Sequence, residues 1–337
     1  MEAESTRPAS IRDVAARAGV SRQTVSRVLN GLPGMTDATA ERVRKVIDEL
    51  DYRPNRAARI LASSRHRTIG LITTAATMFG PASIKEAIER AARAQGYAIT
   101  AVTVLSEAED EIAEALDELM VHGVDGMIVI APQERTWPLI QRRLGGKPSL
   151  TLQWQGGPAN TVALEQREGA LLAVRHLIGL GHRRILHLAG PLHWAEVEQR
   201  VEGYRQALDE AGLEQLPVEH GDWSADSGYA IGLRVLPARD ATAVFVSNDQ
   251  MAIGLLHAAH ELGMDVPREL SVVGFDDIPE ARHATPPLTS VRQEFAALGD
   301  AAITRIVALI EGRPAPAGEI TDQTTLHVRE STAPPRV

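Results

Sequence analysis

The chain has 337 residues, of which 44% are hydrophobic and 23% charged, a composition that predicts a folded protein of two or three domains. It contains no cysteine, which excludes disulfides, thiolate metal sites and cysteine nucleophiles. The N-terminus lacks the basic segment and following apolar run of a secretory signal peptide. No stretch reaches the roughly 18 apolar residues of a membrane span, so we expect a cytoplasmic protein.

The net charge of −9 is unevenly distributed along the chain. Residues 1–65 carry 12 basic and 8 acidic side chains, whereas the remainder carries 23 basic and 36 acidic ones. A basic N-terminal segment on an acidic body indicates nucleic acid as a partner of that segment.

Residues 10–50 have the pattern of three short helices. Ser10 and Asp13 are placed to cap a first helix over 11–18, and Gly19 can end it. Ser21 can then cap a second helix that buries Val25, Val28 and Leu29, and Thr36 can cap a third. The spacing predicts a helix, a tight turn, a second helix, and a third helix that covers both.

The outward face of the second helix is rich in groups that can bond to base edges or phosphates. A helix of this size fits the major groove of DNA, so we expect this face to read it. These groups belong to Arg22, Gln23, Thr24, Ser26 and Arg27. After Pro54, Asn55 can cap a short fourth helix, in which Leu61 can wedge into a minor groove.

From Thr68 onward, short apolar strands alternate with amphipathic helices, which is typical of parallel sheets covered on both faces. About 260 residues of this pattern indicate two lobes with a cleft between them. The strands are predicted at 69–73, 98–102, 127–130, 185–189, 244–246 and 271–275. The helices are predicted at 84–95, 109–121, 169–180, 197–211 and 251–262.

Ligands of such sheets bind beyond the carboxyl ends of the strands. The polar or aromatic residues expected there are Thr74, Arg200, Trp223, Asn248, Asp276 and Asp277. Amide, carboxylate and guanidinium groups beside an indole suit a hydroxyl-rich ring such as a sugar. Two other interpretations are that the aspartates only cap a helix or pair with arginines, and that the tryptophan belongs to the core.

The segments IRDVAARAGVSRQTVSRVLNG and TDATAERVRKVIDELDYRPNRAARILA resemble the N-terminal region of the lactose repressor family of bacterial transcription regulators. The segments GDWSADSGYA, VSNDQMAIG and SVVGFDDIPEARHATPPLTSVRQEF are also similar, and they are closer to the lactose repressor branch than to the purine-binding branch. Departures include Arg22, where that branch has a tyrosine, and Trp194 and Glu196, where it has small serines.

The resemblance implies an all-α helix-turn-helix domain followed by a two-lobed α/β domain like a periplasmic binding protein, with parallel sheets. The head would span residues 1–54, the hinge helix and linker 55–66, and the effector-binding and dimerisation domain 67–337. Within the latter, the N-lobe would comprise about 67–165 and 295–322, and the C-lobe about 166–294 and 323–332.

The resemblance also implies site residues. The DNA contacts would be Ser21, Arg22, Gln23, Thr24, Ser26, Arg27, Asn30, Tyr52, Asn55, Arg56, Ala58 and Leu61. The effector contacts would be Thr74, Met78, Glu168, Arg200, Trp223, Asn248, Asp276, Gln293 and Phe295. The chain ends without leucine heptads, so we expect a homodimer without a tetramer-forming tail.

The sequence therefore predicts a repressor that a sugar or glycoside, with a beta-galactoside as the first guess, releases from a palindromic double-stranded DNA operator. It predicts no cofactor, no metal and no membrane partner. The alternatives are a corepressor-type regulator that its ligand tightens on DNA, and, more remotely, a solute-binding protein or a sugar-modifying enzyme. That enzyme would use Asp276 and Asp277 as paired carboxylates. The sequence contains none of the nucleotide-binding, hydrolase or zinc-protease motifs.

Overall fold

The computed structural model describes residues 9–29, 33–52, 66–74, 78–104, 108–130, 137–152, 161–192, 194–316 and 324–336. The chain divides into two compact units, which we call the head, Met1–His66, and the body, Arg67–Val337. The boundary predicted at residue 54 and residues 55–65 of the predicted hinge lie outside the described residues.

The described part of the head contains three helices, α1 (Ile11–Ala18), α2 (Arg22–Leu29) and α3 (Asp37–Glu49). The Ser10 amide donates to Asp13 Oδ2 at 2.8 Å, and the Asp13 amide donates to Ser10 Oγ at 3.4 Å, so the predicted cap of α1 is confirmed. Gly19 ends α1 in the left-handed region, at φ 66°. Val14, Val25 and Val43 are fully buried and hold the three helices together.

The N-lobe of the body is built on a parallel sheet with strand order β2-β1-β3-β4-β5. Its strands are β1 (Thr68–Thr74), β2 (Ala98–Val104), β3 (Gly126–Ile130), β4 (Ser149–Leu152) and β5 (Thr161–Val162). Its helices are α4 (Phe79–Ala94), α5 (Glu109–Val121), α6 (Trp137–Leu144) and, from later in the chain, α11 (Phe295–Ile310). Apolar side chains of α4 and α11 pack on one face of this sheet.

The C-lobe contains a second sheet with order β11-β10-β9-β8-β6-β7, in which β11 alone is antiparallel to its neighbour. Its strands are β6 (Ile185–Ala189), β7 (Glu219–His220), β8 (Ala243–Val246), β9 (Ser271–Asp276), β10 (Thr289–Gln293) and β11 (Thr324–His327). Its helices are α7 (Gln166–Gly179), α8 (Ala195–Glu210), α9 (Ala225–Val235) and α10 (Asp249–Glu261), with 3-10 turns at Leu236–Ala238 and Ala281–His283.

The ring of His187 lies inside the C-lobe core and is fully buried. It stacks on Phe245 at 4.6 Å between centroids and on Tyr204 at 5.0 Å, and its Nδ1 is 3.0 Å from the Phe245 carbonyl oxygen. Burial lowers its pKa to about 3, so the ring is neutral at pH 7. This histidine is part of the core.

No described helix is long and apolar enough to cross a membrane.

Helices α9 and α10 approach each other closely because glycines face each other across the contact. A Cβ at Gly254 would lie 1.9 Å from the Ala225 carbonyl oxygen, and one at Gly228 would lie 2.1 Å from the Met251 carbonyl oxygen. Both neighbours are backbone atoms, so the helices would have to move apart to admit a methyl group.

We therefore expect Gly254→Ala to destabilise the body by about 1–3 kcal/mol, the usual cost of overpacking. Gly179→Ala is the matched control, because a Cβ at that helical glycine meets nothing within 4 Å. Urea unfolding followed by circular dichroism would compare the two variants. Equal midpoints would contradict the close helix contact.

Candidate functional site

The exposed side of α2 presents the polar groups that the sequence predicted. Arg22 and Gln23 are exposed in the first turn, and Thr24, Ser26 and Arg27 are half-buried. Ser21 Oγ accepts a hydrogen bond of 3.1 Å from the Thr24 amide, so Ser21 caps the helix. This arrangement points Arg22 and Gln23 away from the head core.

Arg27 makes contacts within the head. Its Nε donates to the Pro33 carbonyl at 3.2 Å, and its Nη2 donates to the same oxygen. Arg27 therefore also ties α2 to the loop that follows it. A substitution there would affect the shape of the head as well as any contact with DNA.

The remaining predicted DNA contacts follow α2 in the chain. Tyr52 is only 8% exposed and packs in the head core, so most of its ring stabilises the head, and its contact with DNA stays a prediction. Asn30, Asn55, Arg56, Ala58 and Leu61 lie outside the described residues.

A cleft of about 540 Å³, partly open to solvent, lies between the lobes of the body. Its polar wall belongs to the C-lobe, where Asn248 follows β8, Asp276 ends β9 and Gln293 ends β10. These positions share one edge of the sheet because the three strands are parallel.

Buried side chains form a continuous hydrogen-bonded chain along this wall. Arg200 donates to Gln166 Oε1 through Nε at 2.9 Å and Nη2 at 2.7 Å, and to the Ser247 carbonyl through Nη1. Gln166 Nε2 donates to Gln293 Oε1 at 2.8 Å, and Gln293 Nε2 donates to Asp276 Oδ1 at 2.7 Å. The set is therefore held in place without a ligand.

Asp276 is the carboxylate at the end of this chain. It is 8% exposed and has φ 100°, a conformation that non-glycine residues rarely adopt. Arg200 Nη2 is 3.8 Å from its Oδ1. Burial raises the pKa of Asp276 to about 6, although Arg200 and the Gln293 hydrogen bond oppose the shift.

Asn248 joins the polar wall to its aromatic part. Its Nδ2 donates to the Trp223 carbonyl at 2.9 Å, and its Oδ1 accepts from the Met251 amide at 3.0 Å. Trp223 has φ 74° and is 9% exposed, and its indole Nε1 has no hydrogen-bond partner. Gly190 makes room for this ring, since a Cβ there would lie 2.3 Å from it.

The N-lobe contributes an apolar wall to the cleft. Its described lining residues are Met78, Phe79, Gly80, Pro81, Ile84, Ile130 and Phe295. The rings of Phe79 and Phe295 meet edge to face at 5.9 Å. A ring held by the polar wall would therefore be covered by apolar side chains.

The structure brings most of the predicted effector contacts together in this cleft, namely Met78, Arg200, Trp223, Asn248, Asp276, Gln293 and Phe295. The prediction that Glu168 contacts the effector in this cleft is corrected. Its side chain is exposed on α7 beside Arg175, outside the described lining. Thr74 ends β1, and its side chain lies outside the described part of the chain. Sequence reasoning missed Gln166, the residue that links Arg200 to Gln293.

Asp277 faces a different set of partners from Asp276. It accepts from Arg329 Nη2 at 2.5 Å, its Oδ2 is 3.5 Å from His327 Nδ1, and its amide donates to Ser290 Oγ at 3.1 Å. The two adjacent carboxylates therefore do not face one ligand as an acid and a base. Among the described residues, no group of three or more His, Asp or Glu side chains is placed to hold a metal ion.

The comparisons with known proteins cover both units of the chain. Residues 10–55 match the family described as bacterial regulatory proteins, lacI family, and residues 174–332 match the periplasmic binding protein-like domain. The lactose operon repressor of Escherichia coli K12 is 33% identical over 98% of this chain and 94% of its own length. This chain belongs to the lacI family.

Solved structures of lacI-family proteins agree with this assignment. The structure of the Lac repressor dimer bound to operator and the anti-inducer ONPF has a TM-score of 0.85 at 32% identity, covering 97% of this chain and all of that one. A complex of the transcriptional regulator CelR with cellobiose has a TM-score of 0.72 at 32% identity, covering 96% and 99%. As a lacI-family member this chain is a DNA-binding regulator and not an enzyme.

Proposed function

We propose that this protein represses transcription by binding a palindromic operator as a dimer, and that a sugar or glycoside in the cleft releases it. In this role the protein acts in the cytoplasm, where it has access to the chromosome. The exposed residues of α2, Arg22 and Gln23 in particular, support the DNA role, because arginine and glutamine are suited to reading guanine and adenine edges.

The observation that carries the ligand class is the prebuilt polar wall opposite an apolar one. Carboxylate, guanidinium and amide groups can bond to several hydroxyls of one ring, while the indole of Trp223 and the ring of Phe295 cover its C–H faces. Operator binding and ligand binding are coupled if the ligand binds one closure state of the two lobes better than the other. A difference of about 1–3 kcal/mol between the two binding free energies suffices. The relatives whose names mention lactose and cellobiose support a glycoside as the ligand, and a beta-galactoside is the first candidate.

Selection of genomic DNA fragments by the purified protein tests the DNA role. It is done at moderate salt so that phosphate contacts alone do not retain fragments. A palindromic consensus is the expected result, and it provides the probe for a panel of sugars. Release by a sugar supports induction, tightening by a ligand would establish the corepressor alternative, and no enrichment with or without ligands would refute the proposal.

We expect sugar binding to weaken at acid pH. With a pKa of about 6, Asp276 is a carboxylate at pH 7.5 and protonated at pH 5. If a sugar hydroxyl donates to the ionised form, the affinity falls about tenfold for each pH unit below 6. Calorimetric titrations with the sugar that releases operator, at pH 5 to 8, measure this. Asp276→Asn should reduce the pH dependence, and equal wild-type affinity at pH 5 and pH 7 would contradict the assignment.

A further inference from the structure

Two residues at the start of α8, Trp194 and Glu196, line the cleft but take no part in the hydrogen-bonded chain. We call this pair the α8 corner. The Trp194 ring meets the Trp223 ring edge to face, with centroids 5.9 Å apart and an interplanar angle of 70°. The corner therefore extends the aromatic surface of the cleft and places a carboxylate beside it.

Glu196 is half-buried in the first turn of α8, where its own backbone amide favours the ionised carboxyl group and holds its pKa down. The N-terminus of a helix favours a carboxylate. Burial nevertheless raises the pKa of Glu196, and the charge of Asp276 adds to that effect while Arg200 opposes it. The carboxylate keeps acceptor sites that a donor group in the cleft can use.

The charge of Arg200 is already largely engaged by acceptors of the protein itself. Its Nε and Nη2 donate to Gln166, its Nη1 donates to the Ser247 carbonyl, and Asp276 lies 3.8 Å from its Nη2. The described lining residues otherwise include two carboxylates, Glu196 and Asp276, and no other cationic side chain. A phosphate or carboxylate group of a ligand would therefore meet two carboxylates and one guanidinium in a partly enclosed site, where like charges repel more strongly than in water.

We propose that the α8 corner determines ligand specificity: Glu196 accepts a hydrogen bond from a hydroxyl of an uncharged sugar, Trp194 packs against that sugar unit, and sugar phosphates and sugar acids are excluded. This inference rests on the proposed function, since it specifies the ligand of the same cleft. It assigns the selection against anions to a residue that differs from the small serine expected from the family resemblance.

Matched ligands test the selection directly. The wild-type protein is titrated calorimetrically with lactose, cellobiose, galactose and glucose, and with galacturonate, glucuronate and glucose 6-phosphate as the anionic counterparts. We expect at least one uncharged sugar to bind ten times more tightly than its anionic counterpart. Glu196→Gln keeps the size and one acceptor oxygen but removes the charge, and it should reduce that ratio at least fivefold. Equal binding of glucose and glucuronate, or an unchanged ratio in the variant, would overturn the inference.

A second measurement does not require a sugar. Fluorescence quenching of Trp194, obtained as the difference between the wild-type protein and Trp194→Phe, is compared for iodide and caesium ions. We expect caesium to quench more efficiently than iodide. Glu196→Gln should raise the ratio of the iodide quenching constant to the caesium quenching constant at least twofold. The same ratio with and without Glu196 would overturn the charge argument. If no sugar binds but the ratio shifts, the proposed ligand class fails while the anion-excluding corner stands.

Discussion

The Asp276→Asn protein should bind operator DNA like the wild-type protein and fail to respond to the sugar that releases the wild-type protein. Asparagine keeps the size of the side chain, and its Oδ1 can still accept from Gln293 Nε2, which donates at 2.7 Å to the aspartate. It removes the ionised acceptor for ligand hydroxyls, and a hydrogen bond to a charged group contributes about 1.5–3 kcal/mol. The ligand affinity should therefore fall about 10- to 150-fold.

Asp277→Asn is the matched control for this experiment. Its carboxylate is bonded to Arg329 at 2.5 Å and does not line the cleft. That variant should lose some stability but keep its release by sugar. Fluorescence anisotropy of a labelled operator, with increasing sugar, measures both variants. A normal sugar response by Asp276→Asn would show that the effector does not use this carboxylate.

The Arg22→Ala protein should bind its operator more weakly and with relaxed base preference at one position of each half-site. Arg22 is exposed in the first turn of α2, and a bidentate contact between an arginine and guanine discriminates against the wrong base by about 1–3 kcal/mol. The corresponding loss is about 5- to 150-fold on the selected consensus, with a smaller loss on sequences changed at that base pair.

Lys45→Ala removes one positive charge from an exposed position on α3 and controls for charge alone. Its binding should weaken slightly and equally for all sequences, since it carries only the non-specific attraction to phosphates. Binding to a set of operators with single base changes distinguishes the two variants. A uniform loss for Arg22→Ala would place Arg22 on the backbone rather than on a base.

The elements with strong local signals were predicted well from the sequence. Helix Ile11–Ala18 has a capping box and a terminal glycine, and strand Ile185–Ala189 is a continuous apolar run. Strands such as Glu219–His220 and Thr161–Val162 were missed because two residues cannot show a period. They are defined by pairing with a neighbouring strand, which depends on the tertiary fold.

The contrast between local patterns and tertiary contacts also explains which site residues were predicted and which were missed. Asn248 and Asp276 were predicted because they follow apolar strands, and strand ends meet at one edge of a parallel sheet. Gln166 was missed because helix α7 begins there, three residues before the predicted start. Glu168 lies two residues further on, which turns its side chain about 200° around the helix axis and away from the cleft. Tyr52 is a large aromatic residue that the small head core needs.

The two walls of the cleft divide the binding energy between the lobes. All charged and hydrogen-bonding side chains among the described lining residues belong to the C-lobe, and those of the N-lobe are apolar. A ligand can therefore form its hydrogen bonds on the C-lobe first, and closure of the N-lobe then removes mainly apolar surface from water. Such a closing step has a negative change in heat capacity and a driving force that weakens on cooling. The sensitivity of this repressor to its ligand is thus expected to depend on temperature through the N-lobe and on pH through the C-lobe.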